Sequence, residues 1–294
     1  MMELSKILYI FNKNGVDRMR KIDPSNGIFN CNEFQKDKYK FNLILKNLSS
    51  KELELYSDEN NYIICRGSKT CRTWIWTKDN FDKDVVLEIE KLIELYLTDN
   101  VKDKFTCKKE LYDLLVERSF EYLNLDDYFE MGFLMCYQVK KLKNYDGILD
   151  RPGKNDREVL VKYWFDDSHE MNIANPITMD QARLDVEEFL SSDQFYVLRD
   201  SNGKIVCMAG YSLVENQAKI SHVYTPVSER RKGYATNLIY LITKDILKKG
   251  YVPLLYTDYN YVPSNRAYIN AGYEDKGILI NFSCSRQKVR YNKK

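Results

Sequence analysis

The chain has 294 residues, of which 44% are hydrophobic and 30% charged, a composition typical of a folded protein and a length that suits one large or two medium domains. Its 45 Lys and Arg residues nearly balance its 43 Asp and Glu residues, so the net charge is only +2. A protein that binds nucleic acid through phosphate groups usually carries a larger basic excess, so this class of function is disfavoured.

The sequence also disfavours a membrane protein, a disulfide-stabilised protein and a metal-binding protein. No apolar run approaches the roughly 18 residues that span a bilayer, and the first residues lack a secretory signal pattern, which predicts a soluble cytoplasmic protein without membrane contact. The seven cysteines are odd in number and form no C-x-x-C pair, which indicates reduced thiols. Only two histidines, His169 and His222, are present, so no metal site is expected.

The first half of the chain alternates strands and helices. RTWIWTKD (72–79) is a predicted strand, and a helix over 83–99 and a strand over 103–107 follow. A second helix is predicted over 108–123 and a last strand over 131–139. Glycines and prolines in the polar stretch that follows predict a linker over 146–156, between an N-terminal domain of residues 1–145 and a C-terminal domain of residues 157–294.

The second half repeats this order. Two apolar runs around Ser-Asn-Gly (201–203) predict a β-hairpin, and a strand over 217–226 precedes a helix over 236–249 that Gly250 ends. A strand over 252–258 follows, then a short helix over 263–272 that is predicted to begin with Ser264 as N-cap and to end at Gly272, and a strand over 277–284. The strand, helix and strand of 218–257 form a predicted βαβ crossover with parallel strands.

The loop before the 236–249 helix has the features of an anion-binding loop. It contains Arg230, Arg231 and Lys232, followed by Gly233 and Ala235. A helix N-terminus presents free backbone N–H groups and the positive end of the helix dipole, and glycine and alanine let an oxygen atom approach the chain closely. A basic loop that only caps a surface helix is the alternative. Neither a P-loop nor a dinucleotide-binding glycine pattern is present.

The second half, over roughly residues 157–285, resembles the GNAT superfamily of acyl-CoA-dependent N-acyltransferases. The family motif of Arg or Gln, two residues, Gly, one residue, and Gly or Ala is met by Arg230, Gly233 and Ala235. The later family pattern is met by Asp258, by PSNRAY (263–268) and by Gly272-Tyr273. The expected fold class is α/β (α+β), with two GNAT-like domains that each have a mixed, mostly antiparallel sheet, a central βαβ crossover and flanking helices.

The resemblance implies acetyl-CoA as acyl donor and an amine as acceptor. Tyr268 would be the general acid for the leaving thiolate, and a strand N–H near Val223 to Thr225 would bind the oxyanion. The residues that would bind the cofactor are Val223, Tyr224, Thr225, Arg230, Arg231, Lys232, Gly233, Tyr234, Ala235, Thr236, Asn265 and Tyr268. Cys207 and Cys284 lie on predicted strands and are expected in the core, so the transfer is expected to be direct, without an acyl-enzyme.

A general base is needed because a lysine-like amine of pKa about 10.4 costs about 4.6 kcal/mol to deprotonate at pH 7. Strand alternation predicts that His222 points away from the cofactor, which favours a packed or surface histidine. A carboxylate that acts through water is the other candidate. The carboxylates considered are Asp166, Asp167, Glu170 and Glu215. The acidic cluster of 164–171 could bind a cationic acceptor or form a solvated helix face.

The repeated order of elements suggests a tandem duplication with a degenerate first half. KDNFDKD (78–84) contains three aspartates and no glycine where the second half has its anion-binding loop, so only the second half is expected to bind the cofactor. The expected function is direct acetyl transfer from acetyl-CoA to a small-molecule or peptide amine, by a monomer or homodimer. Two alternatives remain: a non-catalytic CoA-binding sensor or assembly module, and a first half that binds the acceptor or dimerises.

Overall fold

The computed structural model describes residues 18–97, 103–119, 123–142, 146–170 and 176–286. The strands are β1 Arg20–Lys21, β2 Glu54–Ser57, β3 Tyr62–Arg66, β4 Thr73–Thr77, β5 Asp103–Cys107, β6 Leu123–Met135, β7 Ile148–Asp150, β8 Phe195–Arg199, β9 Ile205–Val214, β10 Gln217–Tyr224, β11 Val252–Asp258 and β12 Glu274–Arg286. The helices are α1 Asn32–Asp37, α2 Asn42–Asn47, α3 Lys83–Tyr96, α4 Lys109–Ser119, α5 Arg157–Glu170, α6 Met179–Ser191, α7 Tyr234–Lys248 and α8 Val262–Ala271.

The described residues form two compact units. The first contains residues 18–131 and 278–286, and the second contains residues 132–277. The first unit is therefore built from two separate parts of the sequence. Its sheet has the strand order β1-β2-β3-β4-β5-β12, in which β12 is antiparallel to β5.

The first unit contains a βαβ crossover, because β4 and β5 run parallel and α3 connects them. Helix α3 buries one apolar face, with Val86, Ile89 and Ile93 fully inaccessible to solvent. Phe105 of β5 and Phe282 of β12 stack with ring centroids 5.4 Å apart in the same core.

The second unit contains the same kind of crossover. Strands β10 and β11 are parallel, β9 is antiparallel to β10, and β8 is antiparallel to β9. Helix α7 connects β10 to β11 and buries Leu238, Ile239, Ile242 and Ile246 completely, which is the stripe that a period of 3.6 residues produces. The mixed, mostly antiparallel sheet with a βαβ crossover is thus confirmed.

Most predicted elements are found, and four details differ. The predicted linker lies within the second unit, because Ile148–Asp150 pairs as strand β7 with β8. Leu123 begins strand β6 and does not end a helix, and that strand ends at Met135 and does not reach 139. Tyr261, not Ser264, is the N-cap of α8, because Pro263 lies in its first turn, where its fixed φ suits the helix and its missing N–H costs nothing. The tandem duplication stays a prediction.

No helix among the described residues combines the length and the apolar character that crossing a bilayer requires. All seven cysteines lie in the described residues and are free thiols. Cys207 and Cys284 are fully buried, as the sequence predicts.

Candidate functional site

The site in the second unit begins where two parallel strands stop pairing. The paired residues of β10 and β11 run from Gln217 opposite Val252 to Ile220 opposite Leu255. Strand β10 continues to Tyr224 and β11 to Asp258 beyond this ladder. Backbone groups at the ends of these strands can therefore bind a ligand that lies along β10.

A β-bulge interrupts β10 in this segment. Ser221 pairs with Gly210 and Tyr224 with Met208, so β10 has one residue more than β9 between these pairs. His222 has a φ of +58°, in the left-handed region that non-glycine residues rarely adopt. The bulge interrupts the regular alternation of side chains on which the predicted direction of His222 depends.

His222 packs among aromatic rings. Its ring centroid lies 4.5 Å from that of Trp164 in an edge-on arrangement and 5.8 Å from that of Phe189. Trp164 belongs to α5 and Phe189 to α6, so His222 joins these helices to the sheet. The packed histidine is the alternative that the structure supports, and the general-base alternative for His222 has no support.

The loop between β10 and α7 presents a row of free backbone amides, which we call the amide loop (residues 231–236). The first amide of α7 that donates to a backbone carbonyl is that of Asn237, which donates to Gly233 O at 3.0 Å. The amides of 231–236 have no backbone acceptor within the described part of the chain. Such groups at a helix N-terminus, together with the helix dipole, attract anions such as phosphate.

Two residues of the amide loop have a left-handed backbone conformation. Arg231 has a φ of +66° and Gly233 a φ of +86°. A Cβ atom at Gly233 would have no heavy atom within 4 Å, so the protein itself leaves open space beside this residue. Gly233 is required for its backbone conformation, and the space beside it is available to a ligand.

The side chain of Arg230 braces the end of β10. Its Nε donates to Thr225 O at 2.8 Å, and its Nη2 forms an ion pair with Glu170 Oε2. Glu170 Oε1 also accepts from the hydroxyl of Tyr224 at 3.2 Å. Arg230 therefore fixes the strand end against α5 through its Nε and Nη2, whereas its Nη1 has no partner among the described residues.

The other charges of the loop are partly neutralised. Glu229 is buried and accepts from Lys204 Nζ at 2.5 Å and from Lys232 Nζ at 2.8 Å. These hydrogen bonds, that from Lys204 first, lower the pKa of Glu229 to about 2. Arg231 is exposed and makes no ion pair with a described residue, so it is the loop cation that remains available to a ligand.

Tyr268 lies on α8 and is 8% exposed. Its hydroxyl makes no hydrogen bond with a described residue, and burial, then Cys207 and Asp167, raise its pKa above the ordinary value. Thr225 Oγ1 donates to Cys207 Sγ at 3.1 Å, so Cys207 connects the end of β10 to the surroundings of Tyr268. An unbonded phenol near a strand end is suited to donate a proton to a ligand.

Asn265 holds the segment before α8. Its Nδ2 donates to Asp258 O at 3.0 Å and to Tyr259 O at 2.8 Å. Its Oδ1 is buried and has no partner among the described residues. The side-chain nitrogen is thus engaged structurally, the oxygen is buried, and the cofactor contact of Asn265 stays a prediction.

Helix α5 and the end of β10 line a pocket of about 400 Å³. Tyr163, Asp166 and Glu170 line it from the helix, and Tyr224 and Pro226 line it from the sheet. Val227 and Ser228 of the 3₁₀ turn also line the pocket, which has space for part of a small molecule. Among the described residues, no group of three His, Cys, Asp or Glu side chains could hold a metal ion.

The candidate carboxylates are not equivalent. Glu215 is exposed in the turn between β9 and β10, at the other end of β10 from Thr225. Asp167 is only 5% exposed, and burial, reinforced by Glu170, raises its pKa to about 7, although Arg230 opposes the shift. Its position could be read from the sequence, because Leu160, Tyr163 and Asp167 follow the helical spacing of one buried face.

The predicted cofactor residues lie along one stretch of the second unit. Val223 and Tyr224 form the end of β10 and Thr225 follows directly, and the amide loop comes after a single 3₁₀ turn, Val227–Glu229. Tyr268 is connected to them through Cys207. The Tyr224 side chain is buried and points to Glu170, so a ligand along β10 meets this residue through its backbone.

A family model for FR47-like protein matches residues 200–278. This segment contains β9, β10, α7, β11 and α8, the elements that carry the site. No curated protein matches the sequence.

Solved structures extend the likeness to most of the chain. A GCN5-related N-acetyltransferase from Sphaerobacter thermophilus has a TM-score of 0.61 at 12% identity, covering 92% of this chain and 96% of that one. A GNAT-family acetyltransferase from Colwellia psychrerythraea has a TM-score of 0.55 at 14% identity, covering 90% and 98%. A GCN5-related N-acetyltransferase from Kribbella flavida has a TM-score of 0.50 at 13% identity, covering 76% and 86%. At these identities the likeness shows the fold, which is that of the GNAT acetyltransferases.

Proposed function

We propose that this chain, which has the GNAT fold, transfers an acetyl group from acetyl-CoA directly to an amine. The observation that carries the proposal is the amide loop. Six free backbone amides at a helix N-terminus, with open space beside Gly233, lie at the end of a strand that has left its parallel neighbour. This arrangement suits a ligand with a pyrophosphate at one end and a chain of amides at the other.

Acetyl-CoA fits the free groups of the site. The amides of 231–236 would bind the pyrophosphate, and the exposed cation of Arg231 would add long-range attraction. The backbone of Val223 and Thr225 would pair with the amides of the pantetheine arm. Lys232, which pairs with Glu229, would contribute mainly through its backbone amide, and Arg230, which pairs with Glu170, would contribute by holding the end of β10 in place.

The chemistry of the site favours direct transfer. Burial raises the pKa of the Cys207 thiol to about 12, so this cysteine is protonated near neutral pH and is a poor nucleophile. A backbone N–H at the end of β10 would stabilise the oxyanion, and Tyr268 would protonate the departing thiolate. The acceptor would be a small-molecule or peptide amine.

Acetyl-CoA binding is tested with two glycine variants. Gly233 and Gly203 both have a positive φ and open space at the position of Cβ, but only Gly233 belongs to the amide loop. Valine at either position costs backbone strain of about 1–3 kcal/mol, so both variants lose stability. We expect saturating acetyl-CoA to raise the melting temperature of the wild type and of Gly203→Val, but not that of Gly233→Val.

Equal shifts in both variants would show that the amide loop is not the phosphate site. No shift in the wild type would contradict acetyl-CoA binding altogether.

A non-catalytic CoA-binding module is the second candidate, and it is separated from the enzyme by turnover. We expect mass spectrometry of a panel of primary amines incubated with acetyl-CoA and the protein to find an acetylated product. A melting-temperature shift without any acetylated amine would favour the binding module. The unbonded hydroxyl of Tyr268 favours the enzyme, because a module that only binds has no need of a proton donor in this position.

A further inference from the structure

Asp167 is an unusual side chain for the inner face of a helix. It lies in α5 one turn after Tyr163, whose hydroxyl donates to Ile205 O at 2.9 Å and holds the helix to β9. Asp167 is 5% exposed, and its Oδ2 has no solvent contact and no hydrogen-bond partner among the described residues. A buried carboxylate without a partner destabilises a protein, so its presence points to a role other than stability.

The neighbouring carboxylates of α5, unlike Asp167, have hydrogen-bond partners. Asp166 forms an ion pair with Lys162 at 2.6 Å, and Glu170 is bound to Arg230 and Tyr224. Asp167 differs from both, because its Oδ2 is buried and has no hydrogen-bond partner among the described residues.

Asp167 also acts electrostatically on the groups that surround the proposed reaction. Its charge contributes to raising the pKa of Cys207 on β9 and that of Tyr268 on α8. Glu170 on the same helix and Arg230 from the loop before α7 are the charged groups that act on Asp167 itself, with opposite signs. Tyr163 and Glu170, which flank Asp167 on α5, both contact Tyr224 at the end of β10, the first with ring centroids 5.7 Å apart and the second through a hydrogen bond of 3.2 Å, so Asp167 lies beside this part of the sheet.

We propose that Asp167 is the general base of the acetyl transfer and accepts the proton of the attacking amine. This inference rests on the proposed function. As the bond between the amine nitrogen and the thioester carbonyl carbon forms, one N–H proton passes to the Asp167 carboxylate. The carbon–sulfur bond breaks with its electron pair on sulfur, and Tyr268 gives its phenolic proton to that sulfur. Transfer of the proton from Asp167 to the tyrosinate restores both side chains.

Proton acceptance by Asp167 assists proton donation by Tyr268. Burial is the main cause of the raised pKa of Tyr268, and the charges of Cys207 and Asp167 add to it, so protonation of Asp167 by the amine removes one of these smaller contributions. A carboxyl of pKa about 7 is about half ionised at neutral pH, which suits a base that must later release its proton.

The test compares three variants with the primary amine that the wild type acetylates fastest in the panel. Asp167→Asn keeps the shape and removes the base, Asp167→Glu keeps a carboxylate displaced by one methylene, and Glu158→Gln changes an exposed carboxylate of the same helix. We expect Asp167→Asn to lower kcat by about 10²–10⁴-fold, Asp167→Glu to restore part of this loss, and Glu158→Gln to keep the wild-type kcat. The melting-temperature shift with acetyl-CoA should be preserved in all three.

The pH dependence separates a base from a structural side chain. Because the base must be ionised, kcat of the wild type should rise with pH through about 7, and this limb should be absent in Asp167→Asn. Ionisation of the buried carboxyl destabilises the fold as pH rises, since its pKa in the folded protein exceeds that in the unfolded chain. Asp167→Asn should therefore melt at a higher temperature than the wild type at pH 8, whereas a structural aspartate would give a lower one.

The outcomes are distinct. An unchanged kcat and acid limb in Asp167→Asn, with the amine acetylated by the wild type, would overturn the role of Asp167 and leave the proposed function intact. If the wild type binds acetyl-CoA but acetylates no amine, both proposals fail.

Discussion

At the scale of single residues, Tyr268 and Tyr273 offer a matched comparison. Both are buried tyrosines, but the hydroxyl of Tyr273 lies 2.8 Å from Thr243 Oγ1, whereas that of Tyr268 makes no hydrogen bond with a described residue. We expect Tyr268→Phe to lower kcat by about 10²-fold with little change in stability, because only the proton donor is lost. Tyr273→Phe should keep kcat and lower the free energy of unfolding by about 1 kcal/mol.

Steady-state kinetics and urea unfolding of the two variants measure these effects, and a wild-type kcat in Tyr268→Phe would remove this residue from the mechanism.

Single residues also show how far the sequence reveals the site. The motif of Arg230, Gly233 and Ala235 coincides with the amide loop, where the positive φ of Gly233 requires glycine. The role of the Arg230 side chain could not be predicted, since its partner Glu170 is sixty residues away in sequence. Asp167 was one of four carboxylates considered, and only its burial distinguishes it from the others.

At the scale of elements, the two crossover helices begin differently. Helix α3 of the first unit has Asp82 as N-cap, whose carboxylate accepts from the Val85 amide at 3.1 Å, whereas α7 of the second unit has no side-chain cap. Asp82→Ala should lower the free energy of unfolding by about 1 kcal/mol. Asp84→Ala is the control, because both aspartates approach Arg18 to 4.0 Å but only Asp82 caps the helix.

Urea unfolding measures the difference between the two variants. If both variants lose the same free energy of unfolding, the N-cap hydrogen bond of Asp82 does not stabilise the helix. The affinity for acetyl-CoA should be unchanged in both variants.

The elements that sequence patterns predict well are those with a strong local signal. Helix α7 has an unbroken apolar stripe, and β10 and β11 are apolar runs between turn residues. Strand β7 has only three residues within a polar stretch, and its pairing with β8 is non-local, so local composition predicts a loop. The bulge at His222 is likewise set by the pairing of β10 with β9.

At the scale of the whole chain, the sequence predicts the order of elements but not the composition of the two units. Residues 278–286 belong to the first unit because β12 pairs with β5, from Ile280 opposite Cys107 to Cys284 opposite Asp103. More than 170 residues separate these partners in sequence, and no local composition reports such a contact. A boundary drawn at a polar stretch cannot detect a unit that is discontinuous in sequence.

A comparison of the two units of the chain predicts how many acetyl-CoA molecules one chain binds. Each unit contains a parallel βαβ crossover, the kind of element that carries the amide loop in the second unit. In the first unit the Asp82 carboxylate already satisfies the start of α3, and the segment 78–84 has three aspartates and no glycine, so a pyrophosphate would meet negative charge and a tight backbone. In the second unit the amides of 231–236 are free. Isothermal titration calorimetry should therefore give one acetyl-CoA site per chain, and the Gly233→Val variant should bind no acetyl-CoA. Two sites in the wild type, or one remaining site in Gly233→Val, would show that the first unit has a cofactor site of its own.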